Sequence, residues 1–108
     1  MNGEVIGEVA LVMDRTDNVA TVLDDLSGGR TLDVENVDAA DDETITLTED
    51  VPFGHKVALT PIAPGDPVRK YGEVIGEASV AIAPGEWVHT HNCDSRRGRG
   101  DVQAEGEA

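Results

Sequence analysis

Pro61-Ile62-Ala63-Pro64-Gly65-Asp66-Pro67-Val68 and, twenty positions on, Ala81-Ile82-Ala83-Pro84-Gly85-Glu86-Trp87-Val88 follow one pattern: an aliphatic residue, a small residue, Pro-Gly, and a second aliphatic residue three positions after the Gly. Asp25-Leu26-Ser27-Gly28-Gly29-Arg30-Thr31-Leu32 repeats it with Gly in place of Pro. Pro at the second position of a turn presets φ near about −65° and Gly at the third accepts positive φ, which is the requirement of a type II turn. Each copy therefore reads as a strand, a tight turn and another strand. Around these turns the apolar runs Val9 to Met13, Val19 to Leu23, Thr44 to Thr48, Lys56 to Thr60, Val74 to Ile82 and Trp87 to Thr90 are short, rich in β-branched or aliphatic residues, and bounded by Gly, Pro or Asp. Ile45 and Leu47 alternate with Thr44, Thr46 and Thr48, the period of two expected of a half-buried strand. No segment sustains a helical period, although Asp33 to Asp42 has room for a short helical turn. The expectation is an all-β, or mainly β, domain. Gly3 to Glu8 recurs unchanged at Gly72 to Glu77, and nothing is built on it.

The chain has 108 residues, enough for one domain. Phe53, Tyr71 and Trp87 are its only aromatic residues outside histidine, so the core falls to Val, Ile, Leu and Ala. Twenty-two acidic residues against eight basic ones give a net charge of −14, which argues against nucleic acid or an anionic membrane as partner. No apolar run approaches the ~20 residues of a membrane span, and Met1 to Glu8 lacks the basic and apolar regions of a signal peptide, so the expected location is the cytoplasm. A single cysteine, Cys93, excludes an intrachain disulfide. The charge is uneven: −12 over residues 1–50, −2 over 51–95 and zero over 96–108. Such an acidic, lysine-poor surface resembles the bias of extreme halophiles, whose proteins stay hydrated in molar salt. A calcium loop at Asp38 to Glu43 is disfavoured, because Ala39 and Ala40 interrupt the ligand alternation and no Gly makes the turn. Residues 1–8 read as a lead-in, 9–95 as the domain, and 96–108 as an Arg/Gly-rich tail too polar to order itself.

Three histidines, His55, His89 and His91, fall in the second half of the chain. His89 and His91 flank Thr90 at the end of an expected strand, where residues two apart share a face at roughly 7 Å, and His55 follows Gly54 at the start of another. Three imidazoles suit zinc, iron or manganese without choosing among them, and the same residues read equally as exposed or hydrogen-bonded edge histidines. Cys93, close to His91, has the chemistry of a thiolate nucleophile or a soft metal ligand, but with no base or orienting partner specified it is read as a small residue at a strand end. Lys56, Arg69 and Lys70 are the only cations between residues 31 and 95, positioned either as solvated charges or to meet a carboxylate. Phosphate loops, Cys-x-x-Cys pairs and Gly-x-Ser-x-Gly elbows are absent from the sequence.

Pro52-Phe53-Gly54-His55-Lys56-Val57-Ala58-Leu59, then Ile62-Ala63-Pro64-Gly65, Val68 to Gly76, and Ile82 to Asn92 resemble, in order, the N-terminal SAF-type domain of the altronate/galactarate dehydratase family of sugar-acid hydro-lyases. The likeness covers roughly residues 9–101 and is loose over 14–50. It implies a compact β-clip fold, found ahead of a large catalytic domain or as a separate small subunit. It also implies loss of water from a sugar acid to give a 2-keto-3-deoxy acid, assisted by iron or manganese. By motif match, His55, His89 and His91 would be the catalytic and metal-binding residues, with Lys56, Asn92 and Arg99 on the substrate. A proton-transfer set is missing, so a large catalytic subunit is the expected partner. The alternatives are a sulfo-lyase or hydrolase subunit, or a stand-alone carbohydrate-binding or interaction module.

Overall fold

The glycine turns set the architecture. In the computed structural model, which describes residues 4–6, 9–35 and 37–95, the N–H of Asp66 donates to the Ala63 carbonyl at 2.9 Å and that of Glu86 to Ala83 at 3.1 Å. Gly65 and Gly85 lie at φ 88° and 91°. In the Gly-Gly copy Arg30 donates to Ser27 at 3.2 Å with Gly29 at φ 93°. A fourth copy, hidden in the sequence because its Pro stands one place early, is Val51-Pro52-Phe53-Gly54-His55-Lys56-Val57: His55 donates to Pro52 at 3.0 Å and Gly54 has φ 84°. The copies work in pairs. Leu26 and Val51 exchange both backbone hydrogen bonds (2.9 and 2.8 Å), and Ile62 and Ile82 do the same (2.9 Å each). The leading and trailing aliphatic residues of all four copies are buried, so the apolar spacing around each Gly is what seats the turn on the core.

Among the described residues ten short strands result: β1 (Glu4–Ile6), β2 (Ala10–Val12), β3 (Val19–Val22), β4 (Thr31–Asp33), β5 (Thr44–Thr46), β6 (Lys56–Ala58), β7 (Pro67–Lys70), β8 (Glu73–Ala78), β9 (Trp87–Val88) and β10 (Cys93–Ser95). They pair antiparallel as a five-stranded sheet β1-β2-β3-β6-β9, a three-stranded sheet β10-β8-β7 and a two-stranded ribbon β4-β5. The all-β expectation holds. In the ribbon Leu32 and Ile45 are buried while their neighbours face solvent, as alternation requires. In β3 and β6 it fails, because Val19-Ala20 and Val57-Ala58 are buried on both faces. The central strands are covered twice: Ala20 and Val57 join a core with Leu26, Leu32, Leu47 and Val51, while Val19 and Ala58 join a second with Ile62, Val68, Ile82 and Val88.

Two expectations are corrected. The run Val74 to Ile82 is not one strand: β8 stops at Ala78 and the chain turns so that Ile82 can pair with Ile62. Asp33 to Asp42 contains no helix among its described residues. Val37 donates to Val34 at 3.0 Å and Ala40 to Val37 at 3.2 Å, and the Asp33 carboxylate takes the N–H of Glu35 at 3.0 Å. Aspartate competing for backbone N–H groups favours such turns over a helix interior. The lead-in supplies β1.

Asp17 and Asn18 fasten the two sheets together. Asp17, 1% exposed, accepts the N–H groups of Met13, Asp14, Tyr71 and Gly72 at 2.8–3.2 Å, bridging the β2–β3 turn to the β7–β8 hairpin. The Asn18 side chain donates to Pro67 O at 2.9 Å and accepts from Arg69 N–H at 2.7 Å. Tyr71 and Gly72, at φ 57° and 77°, make the primed two-residue turn that matches strand twist.

Candidate active site

The register of β6 on β9 brings the histidines together. Lys56 lies opposite Val88 and Val57 opposite Trp87; one step beyond, His55 faces His89, their ring centroids 4.9 Å apart. His89 and His91 do not sit on a strand, as the sequence suggested. β9 ends at Val88, and the chain turns over 89–92 with the N–H groups of Asn92 and Cys93 both donating to the His89 carbonyl (3.1 and 2.9 Å). What unites the three rings is Trp87. Its indole stacks on His89 at 5.3 Å and 10°, meets His55 edge-on at 5.5 Å and touches His91 at 5.6 Å, and its Nε1–H donates to His55 Nδ1 at 3.2 Å. The sequence reading gives Trp87 a place in the turn repeat and at the start of a strand, and no place in the site. The signal for it was the chain's sole Trp placed two residues before His89.

Asn92, buried, closes the same turn: its Oδ1 accepts the His89 N–H at 3.0 Å and its Nδ2 donates to Trp87 O at 2.9 Å. Its polar atoms are engaged in holding the histidine turn. Lys56 points to the other face of β6, into an open cleft of about 300 Å³ lined by Lys56, Ile75, His89, Thr90, Cys93 and Ser95. Thr90 thus shares the cleft with His89, another consequence of the turn. Burial lowers the Lys56 pKa below the usual lysine value, helped by the charge of Lys70. Burial, then the neighbouring His55, Lys56 and His91, lower that of His89 and favour its neutral form. Burial raises the Cys93 thiol, which fits a structural residue packed against the second core. Arg99 lies outside the described residues.

The three imidazoles gather by ring packing, not in ligand geometry. Among the described residues no group of three His, Cys, Asp or Glu side chains is placed to hold a metal ion, and His55 Nδ1 is already taken by the indole. A three-histidine site for iron or manganese does not fit this arrangement. What the end of the sheet does present is an ammonium and an imidazole held toward its neutral form, around a cleft with no carboxylate among the described residues of its lining, in a chain of net charge −14.

Residues 8–96 match the family model of the altronate/galactarate dehydratase SAF domain. The chain belongs to this family. The SAF domain is 50% identical over 76 residues to the altronate dehydratase of Escherichia coli (strain K12), covering 70% of this chain and 14% of that protein. To the galactarate dehydratase (L-threo-forming) of the same organism it is 39% identical over 75 residues, 68% of this chain and 13% of the other. To the (2R)-sulfolactate sulfo-lyase subunit alpha of Paracoccus pantotrophus it is 46% identical over 56 residues, 52% of this chain and 84% of the subunit. The SAF domain therefore spans about a seventh of the dehydratase it matches and most of a separate small subunit. It is a lyase-family domain.

Proposed function

We propose that this chain is the small subunit of a cytoplasmic hydro-lyase that dehydrates a sugar acid of the altronate or galactarate kind to a 2-keto-3-deoxy acid, in an active site shared with a larger catalytic subunit. The observation that carries this reading is the meeting of Lys56 and His89 at a cleft whose described lining holds no carboxylate, with His55 packed on His89 and His91 on Trp87. Its similarity to a protein designated subunit alpha supports the separate-subunit form.

Dehydration requires removal of a weakly acidic proton beside the carboxylate, stabilisation of the enediolate that forms, and departure of the β-hydroxyl. Lys56 supplies a fixed cation for the carboxylate. His89, held toward its neutral form, has a lone pair for a proton. The described residues supply no further proton-transfer pair, so the larger subunit completes the chemistry. Iron or manganese, implied by the family resemblance, would need ligands from beyond this chain.

A carbon–sulfur lyase is the second reading, favoured by the 84% coverage of the sulfo-lyase subunit; there sulfite leaves in place of water. Co-purification of the chain with its large partner at molar salt, followed by assay of altronate, galactarate and (2R)-sulfolactate, separates the two. Turnover of a sugar acid, with a raised KM in Lys56→Met, is the expected result. Release of sulfite alone would transfer the assignment to the second reading. A chain that recruits no partner and only binds sugar would be a binding module.

A further inference from the structure

Trp87 is held from several directions. Its backbone pairs with Val57, its carbonyl accepts from Asn92 Nδ2 at 2.9 Å, its N–H reaches the Glu49 carboxylate at 3.3 Å, and its ring lies flat on His89. The indole nitrogen that meets His55 Nδ1 at 3.2 Å is therefore fixed in place. An indole N–H donates and never accepts, so the nitrogen opposite must carry the lone pair. Neutral imidazole has one N–H, and here it falls to Nε2.

We propose that Trp87 locks His55 in its Nε2–H tautomer, so that His55 meets the ligand of the shared site as a hydrogen-bond donor to an oxygen and not as a base or a metal ligand. Ligating a metal through Nε2 would move the proton to Nδ1 and set two N–H donors against each other. An acceptor oxygen, as in a carboxylate or hydroxyl of a hydroxy acid, is the chemistry this His55 fits. The three histidines are then not equivalent: His55 donates, while His89 retains the accepting role. Trp87 is a positioning residue, acting through His55. The ligand part rests on the shared-site reading above; the tautomer does not.

Long-range 1H–15N correlation spectra of the free 15N-labelled chain, recorded above the imidazole titration range, test the tautomer without partner or substrate. His55 should show a protonated Nε2 and an unprotonated Nδ1, with a scalar coupling from Trp87 Nε1 to His55 Nδ1 across the hydrogen bond. Trp87→Phe keeps an aromatic ring but removes the donor, and His55 should then populate both tautomers. A His55 protonated on Nδ1, or a tautomer unchanged in Trp87→Phe, would overturn the proposal. Should that variant not fold, the wild-type coupling decides: its presence supports the lock and its absence refutes it. Failure of a lyase assay leaves this result standing, and loss of the coupling leaves the lyase reading standing.

Discussion

His89 touches everything that gives this site its character: stacked on Trp87, beside His55, and on the wall of the Lys56 cleft. Its pKa is lowered by burial and then by His55, Lys56 and His91. Because the folded value lies below the unfolded one, the unfolded chain takes up this proton first as the pH falls. The associated stability is present above the ordinary 6.5 and lost as the pH drops through the folded value. Urea midpoints at about pH 8 and about pH 5 should therefore fall less in His89→Gln than in the wild type. An equal or larger fall in the variant would contradict the assignment. The histidines themselves were legible in the sequence; how they meet was not. A His-x-His spacing implies a shared strand face, yet these residues occupy a turn tied by Asn92, and convergence depends on an indole whose neighbours in space no local spacing reveals. The motif match drew Asn92 toward substrate, while its burial and bonding serve the turn.

At the scale of the elements, the Pro-Gly copies led directly to an all-β fold, because Pro and Gly at fixed turn positions act through φ alone. The copy at Val51–Val57 escaped notice since Phe53, not Pro, holds the second turn position, and only the common spacing from aliphatic to Gly to aliphatic connects it to the others. Its pairing with the Leu26 copy, like that of Ile62 with Ile82, is a long-range relation outside any local pattern. The turns differ in what surrounds them. A Cβ on Gly65 would meet nothing within 4 Å, whereas one on Gly85 would collide with the Thr46 carbonyl oxygen. Both glycines have nearly the same positive φ. Gly65→Ala should then cost about 1 kcal/mol from backbone strain alone, and Gly85→Ala about 3 kcal/mol or more as β5 is pushed away. Equal losses in denaturant melts would show that the Gly85 contact with β5 yields without cost. Asp17→Ala, which leaves four backbone N–H groups without their acceptor, should cost about 2 kcal/mol or more and loosen the β7–β8 hairpin first, visible as faster amide exchange at Tyr71 and Gly72.

For the whole molecule, electrostatics divides the chain. Residues 1–50 carry −12, and the ion pair of Arg15 with Asp38 at 3.4 Å is exposed on both sides and worth little. Repulsion in this half is relieved mainly by screening, so the thermal midpoint should rise between about 0.1 M and about 1 M salt as the Debye length falls from about 10 Å to about 3 Å. A midpoint that stays level or falls would remove the halophilic reading. The end built from Lys56 and the histidine turn lies in the less acidic half of the sequence, and its cleft, among the described residues, lacks a complete set of reacting groups. That incompleteness is why a second subunit is proposed. The most direct test measures 2-keto-3-deoxy acid formation from altronate or galactarate by the chain alone, by its large partner alone, and by the two mixed at molar salt. The account predicts product only from the mixture, with His89→Ala in this chain abolishing most of it while the complex still forms. Product from the isolated chain, or from a large partner that is equally active without it, would contradict the shared site.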